Sequence, residues 1–378
     1  MLHVTCLPFC TSHGNKILEN NQIVKLLPIL HFKTIRIFTR FYMGTSNVGE
    51  KIIDGSVNAK DSFKSVILKF KEQTINLIRP GGHYGDLLIY LGLEKLLKSV
   101  GVSYRIFRYV EKYSFPFRAY RWGVRKFTEI ILHNKEKQDS ITNAICSPFY
   151  HYYIKGRWRA QFNDNSIILI GGGGNINDFW FHGIRLLKLL INQNKNSTII
   201  VAPQSYYFRT TNFPSIFKEF EGEAYLFCRE KYSYKLLSKM KLPTNVKVIL
   251  SHDTAFYLSK EDFPKGSPKH DLLCFRQDKE SIITEKVKNA VRKIAENPLE
   301  LDVATKAKNF NEFVSAITNS KNVYTDRLHV AILAAILKKQ VFLFPNKYWK
   351  NKGVFEYSLK KYKNVTFIMH PKNFLRTK

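Results

Sequence analysis

The stretch "VYTDRLHVAILAAILKKQVFLFPNKYWKNKG", residues 323–353, decides the fold of the C-terminal half of the chain. Its succession of β-branched, polar and helix-forming residues predicts a strand, a turn, a helix, a second strand and a basic loop. The turn into the helix contains an acid, an arginine and a histidine, which are Asp326, Arg327 and His329. We expect Thr325 or Asp326 to cap this helix, which places the two basic residues in its first turn.

Basic residues in the first turn of a helix oppose the helix dipole, at a cost of roughly 0.3 to 1 kcal/mol each. Two interpretations of this helix start are open. Either it binds an anion with its backbone amides and Arg327, or it is an ordinary helix start with incidental charges.

Strand patterns alternate with helix patterns on both sides of this stretch, which predicts an α/β fold with parallel sheets covered by helices. A polar segment with two prolines, residues 259–270, separates two such blocks and is expected to be a linker. We therefore predict two Rossmann-like domains that face each other across a cleft. They comprise residues 63–260 and 265–378 and follow an N-terminal extension of residues 1–62.

The chain has 378 residues and a formal net charge of +30. Its apolar content of 44% is typical of a globular protein and excludes a disordered chain. Such a charge predicts an anionic partner, which is a nucleic acid, a membrane surface or a phosphorylated substrate. The five cysteines include no CxxC pair, which disfavours a zinc site or a disulfide framework.

The N-terminus "MLHVTCLPFC" lacks the features of a signal peptide, and no apolar run approaches the length of a membrane span. We expect a cytoplasmic location, peripheral at the membrane as one option, and a Golgi lumen only for a secretory protein of a eukaryote. In residues 23–43, lysines and arginines interrupt apolar side chains at helical spacing. This pattern predicts either a basic amphipathic helix on an anionic membrane or an ordinary surface helix.

Two glycine-rich segments follow predicted strands, "RPGGHYGD" at residues 79–86 and "GGGGN" at residues 171–175. Each either binds an anion or a sugar hydroxyl with backbone amides at a helix start, or is simply a tight turn. The aspartates Asp86 and Asp178 either bind hydroxyls or cap helices. Neither segment is a P-loop, since no Gly-Lys-Ser/Thr sequence follows.

Several motifs together resemble the polysaccharide pyruvyl transferase family over about residues 77–360. They are "GGHYGDLLI", "GGGGNINDFW", "APQSYYF", "CREKYSYKLL", "HDTAFYL", "LLCFRQDKES" and "VYTDRLHVAILAAIL", followed by "NKYWKNKGVFEYSL". The resemblance implies a fold like that of two-domain GT-B glycosyltransferases. It also implies transfer of a pyruvyl group from phosphoenolpyruvate to a sugar diol, which forms a cyclic ketal.

This sequence departs from the family pattern at several positions, although its TDRLH segment is intact. His83 stands where asparagine is usual, Glu230 where aspartate is usual and Trp349 where glycine is common. The segment "HDTA", residues 252–255, replaces the usual Pro-Asp-Pro-Ala. The donor chemistry is therefore better supported than the identity of the acceptor.

The resemblance implies catalytic roles for His329, which would protonate the methylene of the donor, and for Arg327, which would clamp the donor. It also implies that three further basic residues, Arg229, Arg276 and Lys350, bind the phosphate and the carboxylate. The remaining substrate-binding candidates are Gly82, Gly85, Asp86, Gly173, Gly174, Asn175, Asp178 and Gln204. The reaction requires no metal and no redox cofactor, with phosphoenolpyruvate as donor substrate.

The expected partners are phosphoenolpyruvate and a glycan or lipid-linked sugar acceptor, with no specific nucleic acid. Residues 113–160, rich in aromatic and basic side chains, are expected to form a helical insert with a solvated basic face. They would otherwise line the acceptor side of the cleft or contact anionic lipid headgroups. Two alternative functions stay open: a nucleotide-sugar glycosyltransferase on the same fold, and a non-catalytic basic protein that binds nucleic acid or membrane.

Overall fold

The computed structural model describes residues 59–109, 115–133 and 162–371, together with residues 138, 141, 142, 145 and 146. These residues belong to one compact unit, Ser56–Lys378. The helix expected at residues 23–43 lies outside the described residues, as does the rest of the expected extension up to residue 58.

The first sheet consists of six parallel strands. They are β1 (Ile75–Pro80), β2 (Tyr104–Tyr109), β3 (Ile167–Ile170), β4 (Thr198–Gln204), β5 (Ala224–Cys228) and β6 (Val246–Leu250). Their spatial order is β2-β1-β3-β4-β5-β6. Strand β3, with the sequence IILI, is buried along its whole length, because helices cover both faces of a parallel sheet.

The second sheet consists of five parallel strands. They are β7 (His270–Cys274), β8 (Leu299–Glu300), β9 (Ser320–Thr325), β10 (Gln340–Leu343) and β11 (Val365–Phe367), in the spatial order β11-β10-β9-β7-β8. The expected linker, residues 259–270, leads from the first sheet into β7. The prediction of a mixed α/β fold with parallel sheets is confirmed, and the domain boundaries stay a prediction.

Helices alternate with the strands along the described part of the chain. They are α1 (Ala59–Leu68), α2 (Tyr84–Ser99), α3 (Phe115–Ile131), α4 (His182–Gln193), α5 (Lys231–Ser238), α6 (Glu285–Ile294), α7 (Val303–Lys306), α8 (Phe310–Thr318), α9 (Leu328–Ile336) and α10 (Lys350–Val354). Short 3-10 turns occur at Pro214–Phe217, Thr254–Tyr257 and Lys260–Asp262, and a π-helical turn at Phe355–Leu359. Within these described ranges, no helix combines the length and the apolar character that a membrane span requires.

Helix α9 is apolar on nearly every side and is buried accordingly. It shares one core with Leu88 of α2 and with Ala255 and Phe256, which follow β6. Gly92 permits this close packing, since a Cβ at this position would lie 2.0 Å from the carbonyl oxygen of Thr254. The packing brings the N-termini of α2 and α9 close together.

All strands of each sheet run in one direction, so their carboxyl ends lie at one edge, where ligands bind in such folds. Gly81, Gly171 and Arg229 directly follow β1, β3 and β5 of the first sheet. Arg276 and Asp326 follow β7 and β9 of the second sheet. The fold therefore collects the predicted loops at the strand ends.

Candidate functional site

A cavity of about 250 Å³ is lined by segments from the carboxyl ends of both sheets and from the first turns of α2 and α9. Most of the residues predicted from the sequence line this cavity: Gly82, Gly85, Asp86, Gly174, Asn175, Arg229, Arg276, Arg327, His329 and Lys350. The other lining residues include Trp180, His182 and Glu280, which the sequence did not indicate as site residues.

Three predicted residues do not line this cavity and instead shape the loops around it. Gln204 is buried and donates from Nε2 to the carbonyl oxygen of Gly171 at 3.2 Å. Gly173 pairs with Gln204 in an isolated bridge and has a φ of 136°, which favours glycine. The carboxylate of Asp178 accepts hydrogen bonds from backbone and hydroxyl groups of residues 209–211. These hydrogen bonds favour a role of Asp178 in holding the loop at residues 209–211 over a role in substrate binding.

His329 lies in the first turn of α9, where its Nε2 is 3.2 Å from Oδ2 of Asp253. The same carboxylate oxygen accepts a hydrogen bond of 2.8 Å from Nη1 of Arg229. Burial alone would raise the pKa of Asp253, but His329 and Arg229 hold that pKa well below its usual range. Asp253 therefore stays ionised and favours a proton on Nε2 of the imidazole.

The other ring nitrogen of His329, Nδ1, forms no hydrogen bond to any described residue. It lies on the side of α2, because a Cβ on Gly85 would be 3.4 Å from Nδ1 and 3.1 Å from the His329 Cβ. Glycine at position 85 thus lets the two helix N-termini meet beside the cavity. With Nε2 held by Asp253, Nδ1 is the nitrogen that can exchange a proton with a ligand.

Arg229 and Glu230 are neighbours in sequence but point to different partners. Arg229 is 1% exposed and, besides Asp253, donates to Oγ of Ser205 at 2.8 Å. Glu230 is the N-cap of α5 and accepts a hydrogen bond from the backbone of Ser233. Burial raises the pKa of Glu230 to about 7. Arg229 therefore forms a buried ion pair with Asp253 and not a surface salt bridge.

Glu280 accepts hydrogen bonds from two of the basic residues that follow strands of the second sheet, Arg276 and Lys350. Its Oε2 accepts hydrogen bonds from Nη1 of Arg276, at 2.8 Å, and from Nζ of Lys350. Its Oε1 accepts from the indole Nε1 of Trp180. Although burial raises the pKa of Glu280, Lys350 and Arg276 outweigh burial and lower it to about 2. Burial lowers the pKa of Lys350 to about 8 despite the adjacent carboxylate.

Arg327 lines the cavity while it forms ion pairs with two aspartates. Its Nε and Nη2 donate to the two carboxylate oxygens of Asp302, with an Nε–Oδ1 distance of 2.9 Å. Its Nη1 lies 3.2 Å from Oδ2 of Asp278. A guanidinium has five N–H donors, so part of its hydrogen-bonding capacity remains for a ligand.

The prediction that Thr325 or Asp326 caps α9 is wrong. The helix begins at Leu328, and its N-cap residue is Arg327, whose side chain makes no capping hydrogen bond. Oγ1 of Thr325 accepts a hydrogen bond from the backbone N–H of Arg327. Arg327 immediately precedes the helix, so this N–H does not belong to its first turn. Asp326 instead binds the loop after β7, by accepting from the backbone of Arg276 at 2.8 Å. Burial raises the pKa of Asp326 to about 6.

Each cationic side chain that lines the cavity has a carboxylate partner. These partners, Asp253, Asp278, Glu280 and Asp302, were not predicted as site residues. The family resemblance could have indicated three of them. Asp253 lies in the segment "HDTA", and Asp278 and Glu280 lie in "LLCFRQDKES", and both segments belong to that resemblance. Asp302 is the second residue after the short strand β8 and lies in no such motif.

The hydroxyl of Tyr348, next to Gly174, is a second feature of the site that the sequence did not indicate. A Cβ on Gly174 would lie 3.2 Å from Nη2 of Arg229 and 3.4 Å from the hydroxyl of Tyr348. This hydroxyl is buried and has no hydrogen-bond partner among the described residues. Burial also raises the pKa of Tyr348 well above its usual value, so the hydroxyl is a donor without an acceptor beside Arg229.

Over the described ranges, no group of three or more His, Cys, Asp or Glu side chains is arranged to hold a metal ion. Three cysteines in these ranges, Cys146, Cys228 and Cys274, are buried and free.

Comparison with known proteins gives a family match and two relatives. Residues 83–348 match the polysaccharide pyruvyl transferase family. General stress protein 30 of Bacillus subtilis is 27% identical over 210 residues, which are 50% of this chain and 60% of that protein. The protein "Putative pyruvyl transferase EpsO", also of Bacillus subtilis, is 25% identical over 258 residues, which are 57% of this chain and 79% of that protein.

A solved structure is similar in fold. An uncharacterized protein from Klebsiella pneumoniae superposes with a TM-score of 0.55 and 21% sequence identity. The superposition covers 83% of this chain and 99% of that chain. At this identity the likeness concerns the fold alone.

Proposed function

The chain belongs to the polysaccharide pyruvyl transferase family, and on this premise we propose that it transfers a pyruvyl group from phosphoenolpyruvate to a sugar diol. The product is a cyclic pyruvate ketal on an exopolysaccharide, a cell-wall glycan or a lipid-linked oligosaccharide. The observation that carries the proposal is the pair of His329 and Asp253, with 3.2 Å between Nε2 and Oδ2, at a cavity lined by four cationic side chains.

The chemistry begins with the transfer of a proton from Nδ1 of His329 to the methylene carbon of phosphoenolpyruvate. The adjacent carbon becomes cationic and is attacked by one hydroxyl of the sugar, whose proton passes to a carboxylate. Asp86 lines the same cavity and is the residue to which we assign this proton. The second hydroxyl then attacks the same carbon and gives its proton to Nδ1 of His329, which restores the acid. Inorganic phosphate leaves with the proton held by Asp86, and the ketal ring closes. A positioned acid of this kind is typically worth about 10² to 10⁴ in rate.

The donor carries a phosphate and a carboxylate, which we assign to Arg229, Arg276, Arg327 and Lys350. Their carboxylate partners orient the guanidinium and ammonium groups but also balance their charge. Donor binding therefore depends on the side-chain N–H groups that are not used in these ion pairs. It also depends on backbone amides of the glycine turns and on the hydroxyl of Tyr348. A protonated His329 adds the positive charge that the balanced pairs do not provide.

We extend the proposal to the arrangement of the two sheets. Each sheet with its helices would form a Rossmann-like domain, residues 63–260 and 265–378, and the domains would face each other across a GT-B-like cleft. The cavity supports this arrangement because loops from the strand ends of both sheets line it. The donor would then contact both domains, with Arg229 on one side and Arg327 on the other.

We also propose a cytoplasmic location with peripheral contact to an anionic membrane, through helix α3. One side of α3 is covered, since Phe117 packs against Cys146. The opposite side exposes large apolar side chains, with Phe115 79%, Trp122 65% and Ile130 79% exposed. Exposed arginines flank these side chains, so the surface combines apolar and cationic groups as an interfacial helix does. It is therefore aromatic as well as basic, unlike the expected solvated basic face.

The test of the transfer reaction is release of inorganic phosphate from phosphoenolpyruvate in the presence of galactosides, glucosides and N-acetylmannosaminides. Release that depends on one of these sugars, with a ketal product in its mass spectrum, supports the proposal. His329→Asn should abolish most of the phosphate release. The control is His270→Asn, which should not: His270 lies at the start of β7 and its ring is hydrogen-bonded to the carbonyl oxygen of Ala316.

Two outcomes would favour the alternative functions. Release of a nucleoside diphosphate from a nucleotide sugar, without turnover of phosphoenolpyruvate, would favour a glycosyltransferase. High-affinity binding of nucleic acid with a steep salt dependence, again without turnover, would favour a non-catalytic basic protein.

A further inference from the structure

A second cavity, of about 270 Å³, adjoins the first at the glycine turn after β1. The two cavities share four lining residues, Gly81, Gly82, His83 and Asp86. The second cavity is otherwise lined by residues of β1, α2 and the end of β2, which are Arg79, Tyr84, Leu87, Tyr90, Arg108 and Tyr109. A ligand in the second cavity would thus meet a ligand in the first at the turn and at Asp86.

The charges of the second cavity differ from those of the first. Arg108 is exposed at the carboxyl end of β2 and forms no ion pair with any residue that the structure describes. Arg79 lies 4.9 Å from the centre of the Tyr90 ring and 3.7 Å from a carboxylate oxygen of Glu94. In the first cavity every cation has a close acidic partner, whereas Arg108 has none among the described residues. An unpaired guanidinium in a cavity is suited to an anionic group of a ligand.

The remaining walls suit a sugar. Tyrosine side chains at positions 84, 90 and 109 line the cavity, and aromatic rings can pack against the apolar faces of pyranose rings. Tyr84 is held in place because its hydroxyl donates to the carbonyl oxygen of Lys308 at 3.1 Å. The cavity therefore combines aromatic walls, two guanidinium groups and, at its boundary with the first cavity, the carboxylate of Asp86.

We propose that this second cavity is the acceptor subsite and that it selects a sugar bearing a phosphate or a carboxylate, held by Arg79 and Arg108. The inference rests on the proposed function. The anionic group binds the two arginines, the sugar lies along the tyrosines, and its two hydroxyls reach Asp86 next to the donor. A sugar phosphate, including a lipid-linked one, and a uronic acid share this chemistry.

The proposal is tested by calorimetric titration of the full-length His329→Asn variant in saturating phosphoenolpyruvate, so that the first cavity is occupied and turnover does not interfere. The probes are a panel of hexose 1-phosphates, the matching hexuronates and the matching neutral methyl hexosides. We expect the anionic probes to bind about ten- to a hundredfold more tightly than the neutral ones, as charge-assisted hydrogen bonds predict. Preference for phosphates or for uronates identifies the source of the anion.

Variants of β2 provide a matched pair for this titration. Arg108→Gln should remove most of the preference for anionic probes, and Arg108→Lys should restore part of it. Arg105→Gln changes an exposed arginine of the same strand that lines neither cavity, and it should leave the preference unchanged. None of these variants should change the dissociation constant of phosphoenolpyruvate.

Several results would overturn the inference. They are equal binding of anionic and neutral probes by the chain with an unaltered β2, no binding of any probe, an equal effect of Arg105→Gln, or weaker phosphoenolpyruvate binding in Arg108→Gln. Sugar-dependent phosphate release is measured separately, so failure of the proposed transfer reaction and failure of this subsite are distinguishable. Turnover of anionic sugars by Arg108→Gln at the rate of the unaltered chain would keep the transfer reaction and reject the subsite.

Discussion

Replacement of Asp253 by asparagine tests whether this carboxylate acts through His329. Oδ2 of Asp253 lies 3.2 Å from Nε2 of His329 and 2.8 Å from Nη1 of Arg229. Asparagine keeps the shape of the side chain and removes its negative charge. In the proposed reaction the acid is the imidazolium form of His329, which the carboxylate stabilises, so the variant should lower the rate of proton transfer.

The magnitude follows from the geometry. Two unit charges 3.2 Å apart interact by about 5 kcal/mol at an effective dielectric constant of about 20. Part of this is offset, because Arg229 repels the imidazolium and the amide oxygen of asparagine can still accept a hydrogen bond. We therefore expect a loss of about 2 to 4 kcal/mol in transition-state stabilisation, which corresponds to a fall in kcat/KM of about 30- to 1000-fold.

The same variant should also lower stability, because Arg229 is buried and loses its ionised partner. Removal of one member of a buried pair typically costs about 3 to 5 kcal/mol, and the remaining amide oxygen reduces this. Asp271→Asn is a matched control. Asp271 is 1% exposed, lies near the start of β7 and accepts hydrogen bonds from Asn322 and from the backbone of Glu296. It should lose stability in urea denaturation and keep its kcat.

The assay is phosphate release from phosphoenolpyruvate by the unaltered chain, Asp253→Asn, His329→Asn and the double variant. If the carboxylate acts through the histidine, the double variant is no slower than His329→Asn alone, and the coupling energy is at least about 2 kcal/mol. Losses that simply add would refute the reasoning. So would an Asp253→Asn variant that is destabilised but has normal kcat per folded molecule.

Three further predictions concern the donor site and the membrane surface. Because burial lowers the pKa of Lys350 to about 8, the ammonium that binds the donor is lost as pH rises through this value. Calorimetry should show weaker phosphoenolpyruvate binding from about pH 7 to about pH 9, and Lys350→Arg should lack this change; an identical profile in the variant would contradict the assignment. Tyr348→Phe removes a buried hydroxyl without a partner in the described ranges, so urea denaturation should show unchanged or higher stability. Phosphoenolpyruvate should bind this variant about 5- to 10-fold more weakly, and unchanged affinity would show that the hydroxyl contacts no donor. Trp122→Glu should reduce co-sedimentation with phosphatidylglycerol vesicles, whereas Tyr234→Glu, at an exposed aromatic of α5, should not; equal sedimentation of both variants would argue against a membrane contact of α3.

The amino-acid sequence by itself determined the types of element and the position of the loops. The run "AILAAIL" after His329 indicated a helix, and "IILIGGGGN" a strand that ends in a glycine turn. Both are as predicted, in α9 and β3. Such features depend on residues adjacent in the chain, through periodicity and turn preference. The same reasoning brought most predicted site residues to one cavity, because parallel strands end at one edge.

Only the tertiary structure decided which acid pairs with which base. Asp253 is 76 residues from its partner His329, and Glu280 is 70 residues from Lys350. Adjacency in the sequence does not decide these contacts: Glu230 is adjacent to Arg229, but Arg229 pairs with Asp253, and Asp326 binds another loop instead of capping its helix. Whether a buried carboxylate stays ionised, and near which cation, depends on burial and on distances of about 3 Å. Those are set by the packing of α2, α9 and the strand ends, which no local pattern of residues contains.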